Sequence, residues 1–227
     1  MTLNHPDRLF PSDTFTRGLA KELFKSIKTL PIISPHGHCD PSWFSENKRF
    51  PDPAQLFVVP DHYVFRMLVS QGLTLNELGV PTLDSSFFEN NPKKIWKKFS
   101  ENYYLFRGTP TAMWLDYSFE KVFGITELLT PATSDFYYNE IEKKLSQPEY
   151  LPQALFDKFN IEVLSTTDSA ISDLSQHIDM KKSNWDGSII PTYRPDSVVD
   201  PESREFKKNL VKLGELANED INSWDGY

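Results

Sequence analysis

Apolar side chains at Phe15, Leu19, Leu23, Phe24 and Ile27 recur close to the helical repeat, with Ser12-Asp13 placed before them as a cap. The pattern predicts a first helix that runs through Lys28. Residues 30–38, LPIISPHGH, break that period. The run is short, apolar and isoleucine-rich and leads into a Gly, Asp and Pro cluster, which predicts a buried strand opening into a loop. From Pro41 to about Asn160 much of the proline and many aromatics gather in helical patches at 63–71, 92–104 and 114–123. That segment reads as a helical insertion.

Two later stretches repeat the strand pattern. IEVLSTTDS (161–169) and SIIPTYRPD (188–196) are β-rich apolar runs that end in polar residues able to do chemistry. Helical spacing follows each, at 170–182 and at 202–218, where Phe206, Leu210, Leu213 and Leu216 share one side. The alternation predicts a parallel α/β fold with adjacent parallel strands at 30–38, 161–167 and 188–194. In such folds ligands bind at the C-terminal ends of the strands, where the loops converge on one mouth. The expected organisation is an N-terminal helix and first strand at 1–42, a helical insertion domain at 43–160, and continuing strand–helix units at 161–227.

Composition narrows the function. Hydrophobic residues make up 39% and aromatics 14% of the 227 positions, enough to build a sizeable core and too many for a disordered chain. Net charge is −8, and Lys and Arg are scattered rather than gathered into a stripe, so no nucleic-acid partner is expected. A small molecule fits better. The start MTLNHPDRLF lacks a basic region followed by an apolar one, and no apolar run approaches the roughly 20 residues of a membrane span. No membrane association is expected. The single Cys39 allows no disulfide within the chain and fits a reducing, cytoplasmic setting.

Of five histidines, two fall in PHGHCD. In an extended segment His36 and His38 point the same way while Cys39 points elsewhere, and convergent imidazoles suit zinc or a similar ion. Gly37 allows close approach, and Asp40 is next in parity. The plain alternative is a hydrogen-bonded histidine pair in a polar loop, with Cys39 a small buried residue. A second group is DHYVFRM (61–67). As a helix it sets His62 and Tyr63 beside Arg66, leaving Val64, Phe65 and Leu68 to pack. That edge could hold a carboxylate through Arg66 and His62, with Tyr63 as proton donor. A Tyr–Arg stack on a solvated face has the same spacing.

Taken in order, HGHCDP (36–41), DHYVFRML (61–68), RGTPTAMWLDYSFEKVFGI (107–125), LSTTDSAISDLSQH (164–177) and PTYRPD (191–196) resemble the N-terminal part of the uronate (glucuronate) isomerase family. The resemblance covers nearly the whole chain. It implies the amidohydrolase superfamily, and so part of a distorted (β/α)8 TIM-like metal-dependent hydrolase barrel with a helical insertion. It also implies aldose–ketose isomerisation of D-glucuronate to D-fructuronate and of D-galacturonate to D-tagaturonate in sugar-acid catabolism. A uronate sugar would be the partner and a divalent metal, zinc first, the cofactor. By the same resemblance His36 and His38 match a metal-binding pair, His62 and Tyr63 match active-site residues, and Arg194 matches a substrate-binding arginine. Arg66 and Asp168 stand in motifs typical of the family, as further substrate contacts. The family's TTDDP is TTDSA here, at 166–170.

Moving a carbonyl between neighbouring carbons through an enediol requires a base, a proton donor and a carboxylate clamp. The chain offers the clamp and, in Tyr63, the donor, but no base at its strand ends. Three strands cannot close an eight-stranded barrel. The expectation is therefore an incomplete isomerase, with metal binding weak or absent, completed by a missing C-terminal part of the same enzyme or assembled as a homo-oligomer. His5 precedes the first helix and His177 lies beyond its strand end, so neither is expected to add a ligand. A metal-dependent hydrolase of the superfamily would share the histidine pair without needing a uronate clamp, and a non-catalytic fragment or assembly module would need neither. His36, His38, His62, Tyr63 and Arg194 are expected around one cavity.

Overall fold

The computed structural model describes residues 2–84 and 87–227. In chain order its first elements are α1 (Thr14–Ile27), β1 (Ile32–Ser34), α2 (Pro41–Glu46), α3 (Pro53–Phe57), α4 (His62–Val69), α5 (Pro92–Glu101) and α6 (Pro110–Tyr117). There follow α7 (Ser134–Leu145), α8 (Pro152–Lys158), β2 (Ile161–Ser169), α9 (Ser175–Lys182), β3 (Ser188–Arg194), α10 (Asp196–Val199) and α11 (Phe206–Ala217).

Short polar side chains start these helices. Asp13, Asp40, Asp52, Asp61 and Asn91 each accept from a backbone N–H of the turn they precede. Pro41, Pro53 and Pro92 come next, at a position where the missing N–H is not needed and the fixed φ suits a helix. The proline that marks this part of the sequence thus starts helices rather than breaking them.

Contacts divide the chain into two compact units. One comprises Met1–Thr29 with Arg49–Leu151, and the other Leu30–Lys48 with Pro152–Tyr227. The first is helical, and its core is aromatic. Trp96, Phe99, Phe106, Phe119 and Tyr137 are all but inaccessible, and the Trp96 indole N–H donates to the Ser134 carbonyl at 3.1 Å. Segment 114–123 is not one helix. Thr109 caps a helix that begins at Pro110, and a π-helical turn over Ser118–Val122 follows it. Segment 92–104 likewise stops as an α-helix at Glu101 and tightens into a 3-10 turn over Tyr103–Phe106. α1 has no buried residue, and Phe15 on it is 81% exposed.

The second unit holds a three-stranded parallel sheet in the order β1-β2-β3. β2 and β3 follow their predicted runs closely. The expected buried strand over 30–38 is corrected: only Ile32–Ser34 pairs, and Ile32 and Ile33 are exposed. Pro31 and Pro35 flank those residues and cannot donate to a ladder, which holds the strand to the stretch between them. Pro191 is tolerated because β3 is at an edge of the described sheet. The predicted helix over 170–182 is also shorter, starting at Ser175 after Leu174 takes a left-handed φ of 54°. Phe44, Phe156, Leu164, Met180 and Ile189 form the core, drawing α2, α8 and α9 onto one face of the sheet. Among the described residues no helix is long and apolar enough to cross a membrane.

Candidate functional site

In the sheet-bearing unit the Nε2 atoms of His36 and His38 stand 2.9 Å apart, with ring centroids 4.8 Å apart at 75°. Both residues lie beyond the last residue of β1, so the loop rather than the strand pleat brings them together. Gly37 explains how the loop sits: a Cβ there would meet the Ser165 carbonyl oxygen of β2 at 2.9 Å. Asp40 accepts from Ser42 N and is committed to capping α2. Cys39 packs against the sheet core, and burial pushes its thiol above the ordinary value. One of the facing imidazoles donates and the other accepts, so the hydrogen-bonded pair is present. The same two nitrogens are the donor set a metal would use. Among the described residues no three His, Cys, Asp or Glu side chains cluster as metal ligands.

The C-terminal ends of β2 and β3 carry the next residues. Asp168 pairs in register with Tyr193, and Ser169 with Arg194. Arg194 is half-exposed, its Nε 3.4 Å from the Asp196 carboxylate. Asp168, Ser169, Pro191 and Tyr193 line part of a cavity of about 130 Å³. Asp168 accepts from the Thr166 hydroxyl at 2.7 Å, and the same hydroxyl contacts His177 Nε2 at 2.8 Å. His177 is only 4% exposed, and its Nδ1 has no partner among the described residues, at a cost of roughly 1–3 kcal/mol. The sequence reading set this histidine aside. Strand alternation was the signal: Leu164, Thr166 and Asp168 share a face of β2, and Leu164 packs with Met180 of α9, the helix that carries His177.

In the helical unit Asp61 caps α4 through Tyr63 N at 2.8 Å and Val64 N at 3.3 Å. Val64 and Leu68 are buried, which turns His62, Tyr63 and Arg66 outward. The His62 and Tyr63 rings lie 4.3 Å apart, and the Arg66 guanidinium sits 4.5 Å from the Tyr63 ring centroid. Trp114 meets Tyr63 edge-on at 6.4 Å. The predicted Tyr–Arg stack is formed, and it presents a cation, an imidazole and a phenol on one helix edge. Such a set can bind a carboxylate and pass a proton.

These residues belong to one continuous match. The profile of the family described as glucuronate isomerase covers residues 10–227. The chain belongs to the glucuronate isomerase family. Curated relatives in this family include the uronate isomerase of Rhizobium meliloti, 53% identical over 98% of the chain and 47% of the relative. The uronate isomerase of Mesorhizobium japonicum is 49% identical over 100% of the chain and 48% of the relative. Among solved structures, glucuronate isomerase from Caulobacter crescentus superposes with a TM-score of 0.92 at 43% identity, covering 100% of this chain and 47% of that one. Uronate isomerase from Thermotoga maritima gives 0.83 at 29%, covering 98% and 46%. The chain spans about half the length of the curated relatives it matches. His36, His38, His62, Tyr63, Arg66, Asp168 and Arg194 all fall inside the glucuronate isomerase match.

Proposed function

We propose that this chain supplies the N-terminal part of a uronate isomerase, built as part of a (β/α)8 barrel of the amidohydrolase type and working in the cytoplasm on D-glucuronate and D-galacturonate. The family match over residues 10–227 is the observation that carries the reading. The converging Nε2 atoms of His36 and His38 support it, since neutral imidazoles are what a divalent metal such as zinc accepts. In this reading those two histidines hold the metal, which when bound would polarise the sugar oxygens. Arg66, beside His62, is suited to a uronate carboxylate, since guanidinium groups recognise carboxylates through paired hydrogen bonds, and Arg194 is assigned to the substrate by the family resemblance. Tyr63, held under Arg66, donates a proton to the C1 carbonyl oxygen as the base removes the C2 proton and the enediol forms. Asp168 accepts from the sugar hydroxyls. The remaining ligand and the base would come from outside these residues.

The test is an isomerase assay with D-glucuronate and divalent metal. The chain is assayed alone and mixed with the segment of the Rhizobium meliloti relative that lies outside the match. Fructuronate should form in the mixture and fall at least about 100-fold when His36 and His38 are both replaced by Ala. Unchanged D-glucuronate and D-galacturonate in both preparations would overturn the reading.

A further inference from the structure

His177, Thr166 and Asp168 form a buried chain of hydrogen bonds whose purpose the isomerase reading does not state. The Thr166 hydroxyl has one proton and three acceptors in range, Asp168 Oδ2 at 2.7 Å, His177 Nε2 at 2.8 Å in the tautomer that leaves it bare, and the Ile190 carbonyl at 3.4 Å. The shortest, charge-assisted bond takes it. Thr166 must then accept at its 2.8 Å contact with His177, so His177 Nε2 carries a proton and donates. His177 Nε2 is 3.8 Å from Asp168 Oδ2, too far for a direct hydrogen bond, and the threonine therefore carries the contact. Thr166 is fully buried and His177 nearly so. A buried ring nitrogen without a partner among the described residues calls for an explanation beyond packing. The chain of bonds ends at a carboxylate that lines the cavity where β2 and β3 stop.

We propose that His177 is a positioning residue that, through Thr166, fixes the Asp168 carboxylate at the end of β2 for contact with the hydroxyl groups of the uronate. The substrate half of this statement rests on the isomerase reading, and the positioning half rests on the hydrogen bonds alone. Three variants separate the two. His177→Leu fills much of the ring's volume without a donor, His177→Gln retains a donor, and Thr166→Val keeps the shape and removes the bridge.

The first readout needs no substrate. Nitrogen NMR should find His177 protonated at Nε2, and the Asp168 side-chain carboxyl carbon resonance should move in His177→Leu and Thr166→Val while staying near its original place in His177→Gln. The second is turnover in the mixed assay. KM for uronate should rise about tenfold in His177→Leu and Thr166→Val with kcat changed less, and His177→Gln should restore it. Circular dichroism establishes that each variant is folded, and if His177→Leu is not, Thr166→Val against His177→Gln makes the same comparison. A proton on Nδ1 alone, or an Asp168 resonance unmoved in the disruptive variants, overturns the positioning. A moved resonance with an unmoved KM overturns the substrate contact. Absence of turnover in the unmodified protein, with the resonances behaving as expected, supports the positioning and overturns the isomerase reading instead.

Discussion

Asp116 is a carboxylate of the helical unit that desolvation pushes upward, whereas its buried neighbour Glu120 is pulled down by Lys121. Asp116 lies part-buried beside a cavity of about 430 Å³ and accepts from the Tyr103 hydroxyl at 2.7 Å. Desolvation pushes its carboxyl above the ordinary value, the tyrosine hydrogen bond works against that rise, and the nearby charge of Glu120 adds to it. A raised value in the folded state means that protonated Asp116 favours folding. That contribution is complete below the unfolded value of about 3.8 and is lost as pH rises through the folded value. Asp116→Asn keeps an acceptor for Tyr103 and removes the desolvated charge. Its urea midpoint at pH 7 should equal or exceed that of the unmodified protein, with the difference closing in acid; a clearly lower midpoint at pH 7 would sink the argument. At this scale the sequence was legible wherever the cause was local. The closeness of His36 and His38 and the stack of Arg66 on Tyr63 follow from short spacings. His177 did not, because its partner Thr166 lies on another element, and only the packing of α9 on β2 brings the two together.

At the scale of elements, strand 161–169 was readable because its apolar run carries no terminator before its end, and strand 188–194 because its one proline, Pro191, falls on an edge strand that tolerates it. The first strand was overread, since the isoleucines of 30–38 were weighed and the prolines on either side were not. The helix ends were set by caps, and α4 is where one of them bears on the site. Asp61 satisfies two backbone N–H groups of the turn that carries His62 and Tyr63. Asp61→Ala should cost about 1 kcal/mol of stability and speed hydrogen exchange at Tyr63 and Val64 ahead of the rest of the helix. A thermal melt and amide exchange check both. Equal exchange along α4 would mean that the first turn is held by packing of Val64 and Leu68 rather than by the cap.

At the scale of the whole molecule, a half-length match and two converging imidazoles bear on the same question. Zinc sites take three or four protein ligands, each of which helps to offset the cost of stripping water from the ion. His36 and His38 give two. Asp40 is occupied in capping α2, and the Nε2 of His177 is occupied by Thr166. The chain alone should therefore bind zinc weakly. Adding the segment of the Rhizobium meliloti relative that lies outside the match should raise the affinity at least about 100-fold, as further ligands and their supporting hydrogen bonds are supplied. Calorimetric titration of zinc into metal-free protein at pH 7, with and without that segment, measures the difference. The His36→Ala, His38→Ala variant should lose the added affinity in the mixture. A tight one-to-one site in the chain alone that disappears in that variant would mean that these residues complete the metal site without help, and the proposal that the rest of the site comes from elsewhere would fall.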